Sequence, residues 1–134
     1  MDKCDQPASA VAELMTELPP ALRQGVYGVG VDLASVERIK LAINRSGDKF
    51  VNLVYSQSEQ EYCEQAEKKF QRYSACWAAK EAAVKALGTG FRQAISFTDI
   101  ELTPDAQGKP ELKLSGRFQQ IMHQNNATNA FVSI

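Results

Sequence analysis

Asp32, Lys80, Glu81 and Lys85 are the residues whose types and spacing can do chemistry. Glu81 and Lys85 stand four apart in "CWAAKEAAVKALGTGF", residues 76 to 91, and on a helix they share one face. Lys80 precedes Glu81 and points about 100° away from it. Ala78, Ala79, Ala82, Ala83 and Ala86 leave room for a neighbouring backbone or a ligand to approach closely. Asp32 closes the apolar run "GVYGVGVDL", a charge that conflicts with its surroundings, as functional residues often do. Two carboxylates from different elements, with space for water and phosphate oxygens, suit Mg²⁺, which takes hard oxygen ligands and shares them with a substrate phosphate. Gly88-Thr89-Gly90 allows backbone amides to turn toward an anion. A plainer reading stands beside each feature. Glu81 and Lys85 also fit an ordinary surface ion pair, Asp32 the N-cap of the next helix, and the Gly-Thr-Gly a helix stop.

The elements that must position these groups follow from periodicity. Residues 25–33 read as a strand, with Val29 and Val31 alternating against Gly28, Gly30 and Asp32. "ASVERIKLAINRSGDKF" reads as a helix that Ser35 can cap and Gly47 can end, with Val36, Ile39 and Ile43 as its buried stripe. Arg38, Ala42, Arg45 and Lys49 line a second, basic face. Ser56 followed by Glu59 is a capping-box signature opening a polar helix whose charges read as solvated surface. A long helix over roughly residues 70–87 carries the charged cluster, and Trp77 marks a packed face. "ISFTDIEL" and "ELKLS" read as strands joined by the turn "TPDAQGKP". A helix with Phe118, Ile121 and Met122 inward and a last strand, "AFVSI", complete the pattern. His123 falls within that last helix and reads as a surface residue. Residues 9–18 read as a short helix broken by Pro19-Pro20, within an N-terminal extension over residues 1–24; residues 25–134 form the main domain.

At 134 residues, 44% hydrophobic and 23% charged, the chain is of single-domain size and globular composition. No apolar run reaches membrane-spanning length, and a net charge of −1 argues against general nucleic-acid binding. Three cysteines without metal-ligand spacing argue against a disulfide framework and for a reducing cytoplasm.

Together, "GVGVDLASVERI", then "WAAKEAAVKALGTGF", then the Gly108-Lys109-Pro110 turn resemble the 4′-phosphopantetheinyl transferases, in their short, holo-[acyl-carrier-protein] synthase class. The resemblance covers roughly residues 26 to 134. It implies an α+β fold: a small antiparallel sheet packed with a long central helix and flanking helices, in a single-repeat unit. It implies transfer of 4′-phosphopantetheine from coenzyme A to a serine of an apo acyl carrier protein, as in fatty acid biosynthesis, with adenosine 3′,5′-bisphosphate as the other product. On the matching positions, Asp32 and Glu81 would hold Mg²⁺ against the pyrophosphate. Lys85 would contact the phosphates or assist proton transfer, a metal-bound water or Glu81 being the other candidate bases. Lys80 would take a phosphate or structural role. Gly88 and Thr89 would border the pantetheine or phosphate path, and Pro110 the adenine side. Arg38 and Arg45 would meet the acidic carrier protein. One copy of the unit implies a homotrimer with sites at its interfaces. A non-catalytic carrier-protein-binding relative is the alternative.

Two positions depart from the family pattern. Cys76 stands where many members carry an arginine associated with the nucleotide phosphate, and Arg72 and Arg92 are the substitutes at hand. The family continues beyond a strand like Phe131-Val132-Ser133-Ile134 into a serine-histidine pair and a return strand, so that C-terminal strand is expected to be missing.

Overall fold

The computed structural model describes residues 25–134 together with positions 13 and 17, which are helical. The remainder of the helix expected over residues 9–18 lies outside the described residues. The element order is α1 (Val36–Val54), α2 (Gln57–Glu64), α3 (Lys69–Leu87), a 3-10 turn (Phe97–Asp99), β1 (Ile100–Pro104), β2 (Pro110–Leu114) and α4 (Gly116–Gln124). This is the α+β arrangement that the sequence implies.

Local chemistry sets the start of α1 and α2 and the end of α3. The Ser35 hydroxyl accepts from the Arg38 amide at the start of α1. Gly47, at φ 49°, breaks the helical path as its residue type foretells, but the helix resumes beyond it and runs on to Val54. Ser56 and Glu59 form the complete capping box of α2. Gly88 ends α3 in the left-handed region, φ 83°. β1 and β2 pair antiparallel, Ile100 opposite Leu114 and Leu102 opposite Leu112. Between them Asp105 accepts from the amides of Gln107 and Lys109, closing the turn.

Helix α3 is the central element. Tyr73, Cys76, Val84 and Leu87 recur at helical spacing and are all buried. Ile39, Val54 and Tyr55 of the α1 region, Cys63 of α2 and Leu102 of β1 pack on its first half, while Ile100, Phe118 and Ile121 pack on its second. Trp77 stacks between Phe50 and Phe97, with ring centroids at 6.0 and 5.4 Å.

The segment over residues 26–35 joins no ladder, contrary to the strand expected there, and the same holds for residues 130–134. Alternation predicts extended backbone, but a strand also needs a hydrogen-bonding neighbour, and the described residues offer none. Instead the segment lies directly on α3, antiparallel to it. A Cβ at Gly28 would overlap the carbonyl oxygen of Ala86, and one at Gly30 that of Ala82. Further along, the Ser74 hydroxyl donates to Ala34 O at 3.3 Å. Glycines facing alanines therefore set how closely and in which register the chain meets the helix. Replacing Gly30 by alanine is expected to lift the segment off α3. The stability cost should be about 1–3 kcal/mol, readable as a lower urea midpoint, and activity should fall more than stability because Asp32 moves with the segment.

Candidate active site

Asp32 arrives two residues beyond Gly30, on the flank of α3 that carries Glu81 and Lys85. Lys85 Nζ donates to Asp32 Oδ1 at 2.7 Å and to Val31 O at 3.3 Å. The Asp32 side chain is 15% exposed and that of Lys85 52%. Both plainer local readings thereby give way. The N-cap of α1 is Ser35, not Asp32, and Lys85 turns to a carboxylate far away in sequence rather than to Glu81.

Glu81 is half-buried on the same flank. Burial pushes its carboxyl above the ordinary carboxylate range, and the neighbouring Asp32 charge pushes it further, while Lys85 pulls the other way. Asp32 is thus near enough for its charge to act on Glu81, and the flank carries two carboxylates to one lysine, an excess of negative charge. That donor set fits a hard dication. Among the described residues no third His, Cys, Asp or Glu joins the pair.

Lys80 departs from the expected ligand-binding set. Its side chain is fully buried and points into the core. The ammonium donates to Glu59 Oε1 at 2.7 Å, to Phe97 O at 3.0 Å and to Ile100 O. An ammonium has three protons, and all three are committed. No donor remains for a phosphate, so of the two roles open to Lys80 the geometry favours the structural one. Glu59, expected on the surface, is fully buried as well: it accepts from Ser56 N, Lys80 Nζ and Leu102 N. This network ties α2, α3 and β1 together directly behind Glu81. A signal for it was present in the sequence. Lys80 interrupts the apolar stripe of Tyr73, Cys76, Val84 and Leu87 at helical spacing, a position where a charge must find a partner.

Gly88 and Thr89 form the helix stop. The amides of Gly88, Thr89 and Gly90 all turn back to Val84 O, at 3.0, 3.2 and 3.4 Å. They are therefore not directed at an anion, and the cap reading of this stretch holds. Pro110 lines a separate cleft of about 650 Å³ between α2, the start of α3 and β1, together with Arg72, Cys76 and Thr103. Cys76 and Glu81 are five residues apart, about 140° around the helix, so cleft and carboxylates occupy different faces of α3. Cys76 is a core residue whose Sγ lies 4.0 Å from Cys63 Sγ; that contact and burial push its thiol up. Arg38, Arg45 and Lys49 are exposed along α1, as the basic face requires, and among the described residues none of them is ion-paired. His123 is exposed on α4, as expected.

This geometry agrees with what the chain resembles. Residues 28–131 match the family described as the 4′-phosphopantetheinyl transferase superfamily. A holo-[acyl-carrier-protein] synthase of Solibacter usitatus is 42% identical over 109 residues, 81% of this chain and 87% of that relative. Its counterpart from Aliivibrio fischeri is 38% identical over 109 residues, covering 81% and 86%. The crystal structure of the Neisseria meningitidis holo-[acyl-carrier-protein] synthase superposes with a TM-score of 0.68 at 34% identity, covering 75% of this chain and 81% of that one. The Helicobacter pylori synthase in complex with coenzyme A gives a TM-score of 0.63 at 31% identity, covering 73% and 80%. The chain belongs to the 4′-phosphopantetheinyl transferase superfamily, and within it to the holo-[acyl-carrier-protein] synthase class.

Proposed function

We propose that the chain moves 4′-phosphopantetheine from coenzyme A to a serine hydroxyl of an acidic apo acyl carrier protein, using Mg²⁺ held by Asp32 and Glu81. The observation that carries the site assignment is the convergence of positions 32 and 81, visible in the Lys85–Asp32 pair and in the Asp32 charge acting on Glu81. In the reaction a bond forms between the serine oxygen and the β-phosphorus. The bond from that phosphorus to the bridging oxygen breaks, and adenosine 3′,5′-bisphosphate leaves. Bound Mg²⁺ supplies neutralisation of the pyrophosphate charge. Lys85, half-exposed on a flexible stem, exchanges Asp32 for a phosphate oxygen when substrate enters and steadies the leaving charge. In this reading Glu81, on the same flank, takes the serine proton.

The separation of cleft and carboxylates supports a shared site. The nucleotide end of coenzyme A lies in the cleft beside Pro110 of one copy while its pyrophosphate meets Asp32 and Glu81 of the next, in a homotrimer. The unladdered segment presents Tyr27, Val31 and Leu33 outward, Leu33 being 94% exposed beside Asp32, and Phe131 is 93% exposed. Apolar side chains so bare are what a second copy covers. Light scattering that returns a monomer under turnover conditions would remove the shared site. A cytoplasmic setting, where apo carrier and coenzyme A meet, accords with Cys63 and Cys76 being free and buried.

Mass spectrometry of an apo carrier incubated with the protein, coenzyme A and Mg²⁺ tests the activity. The expected result is one added phosphopantetheine. Retention of the carrier on immobilised protein without that gain would establish the non-catalytic relative instead. For the docking face, charge reversal of both Arg38 and Arg45 to glutamate should raise the KM for the carrier about tenfold with kcat little changed, and flatten its salt dependence. An unaltered KM would place the carrier elsewhere.

A further inference from the structure

Helices α2 and α3 meet through two consecutive rungs. Glu59 Oε1 accepts from Lys80 Nζ at 2.7 Å, and one turn along, Cys63 Sγ lies 4.0 Å from Cys76 Sγ. The numbering rises by four on one helix and falls by four on the other, so the helices run antiparallel and both pairs span one seam. The ion pair fixes the spacing of the backbones, and the sulfurs one turn away are thereby held together. Both cysteines are free and fully buried. The Cys76 thiol donates to Leu102 O at 3.8 Å, which leaves Cys63 as the donor between the sulfurs. No step of the transfer reaction uses either sulfur. Cys76 also lines the cleft of about 650 Å³ beside Pro110, so a small reagent approaches the pair from that side. Tyr62, next to Cys63, and Arg72, whose Nη1 donates to Tyr62 O at 2.6 Å, line the same cleft. One buried cysteine is ordinary packing; two sulfurs in contact at the wall of a cleft are a dithiol.

We propose that Cys63 and Cys76 are a modification site, a dithiol that a hydroperoxide converts reversibly to a disulfide, and that the bond narrows the adjoining cleft. The Cys76 sulfur attacks the peroxide. An S–O bond forms, the O–O bond breaks, and the departing oxygen takes the thiol proton and leaves as water or an alcohol. The Cys63 sulfur then attacks Cys76 Sγ. The S–S bond forms, the S–O bond breaks, and the hydroxyl leaves as water with the Cys63 proton. The two thiols lose two electrons and the peroxide gains them; an external thiol reverses the change. The contact with Cys63 and burial hold the Cys76 thiol above its ordinary range, so attack waits on an opening of the cleft wall and is slow. Closure from 4.0 Å to the ~2.05 Å of a disulfide draws α2 toward α3, and the Tyr62 and Arg72 wall moves with it. Formation of the bond does not depend on the transferase reading; its effect on a nucleotide in the cleft does.

The third cysteine, Cys4, lies outside the described residues, so the test uses Cys4→Ser, in which a bond within the chain has one possible pairing. The folded protein is treated with hydrogen peroxide and followed by intact mass and by tryptic mapping without reductant. Lys68, Lys69 and Arg72 separate the two cysteines, so the bond joins two peptides. The expected product has lost two hydrogen atoms, yields the joined peptides and returns to the parent mass with dithiothreitol. It also unfolds at a higher Tm, because the bond closes a loop in the unfolded chain. An unchanged mass, added oxygen on one cysteine without joined peptides, or a bond that forms only in urea would overturn the site. Calorimetry with adenosine 3′,5′-bisphosphate, which carries no thiol to reopen the bond, then compares the two forms. The disulfide form should bind it about tenfold more weakly, and saturating bisphosphate should slow the oxidation. Equal affinities would overturn the link between bond and cleft. Joined peptides in a protein that modifies no carrier would keep the dithiol site and remove the transferase reading.

Discussion

Glu81→Gln is expected to lower the rate of carrier modification by about 10²–10³-fold or more, the scale of losing one fixed electrostatic group at a reacting centre. The fold should survive, because Glu81 lies on the half-buried flank of α3 and makes none of the core contacts. Stability should in fact move the other way. The Glu81 carboxyl is raised by burial first and by Asp32 second. In the pH window between its unfolded and folded proton affinities, the folded chain binds more protons than the unfolded chain, so stability falls as pH rises through that window. Above the window the full penalty is present. At neutral pH the glutamine variant should therefore unfold at the same or a higher Tm than the parent. The difference should vanish as pH drops below the ordinary carboxylate range. Adding Mg²⁺ should raise the Tm of the parent and leave that of the variant nearly unmoved. Retained transfer in the variant would take Glu81 out of the site; a lower Tm at neutral pH would show that the carboxylate is structural.

The second large effect lies one residue away. Lys80→Met leaves the Glu59 carboxylate buried with only the Ser56 and Leu102 amides as donors. Breaking a buried pair from one side costs about 3–5 kcal/mol, because the surviving charge has no counterpart. Against a typical total of about 5–15 kcal/mol this is severe, and it corresponds to a Tm loss on the order of 10–20 °C. The double variant Lys80→Met with Glu59→Gln removes both charges and keeps an acceptor for one of the two amides, so it should recover part of the loss. Thermal and urea unfolding of the three variants decide the matter. A single-variant cost below about 1 kcal/mol would mean that water reaches the pair in solution.

The sequence made the charged flank legible because its logic is local. Glu81 and Lys85 share a face by spacing alone, Ser35, Ser56 and Gly88 carry standard cap chemistry, and the apolar stripes of α1 and α4 fall where helical period puts them. The convergence of Asp32 on that flank came from a family resemblance, not from periodicity, since 53 residues separate Asp32 from Lys85. The burial of Glu59 was not foreseen. Its capping-box role engages Oε1, and nothing local shows that Oε2 is wanted by Leu102, 43 residues on. The two terminal segments were expected as strands because alternation is a property of one chain, whereas a ladder is a property of two. The glycine and aspartate positions of residues 26–35 face α3 and the larger apolar positions face out, which explains both the pattern and the lack of pairing.

Lys80 and Glu81 are consecutive, and the turn of the helix sends one inward and leaves the other on the flank it shares with Asp32 and Lys85. The carboxylate proposed to act in transfer is thereby geared to the interior, and α3 cannot slide to ease a strained core without also misaiming it. A genetic screen for inactive alleles should consequently return lesions at Glu59, which contacts no substrate, beside those at Asp32 and Glu81. The phenotypes of the two sorts would look alike in cells, and only a purified allele's melting curve would tell them apart.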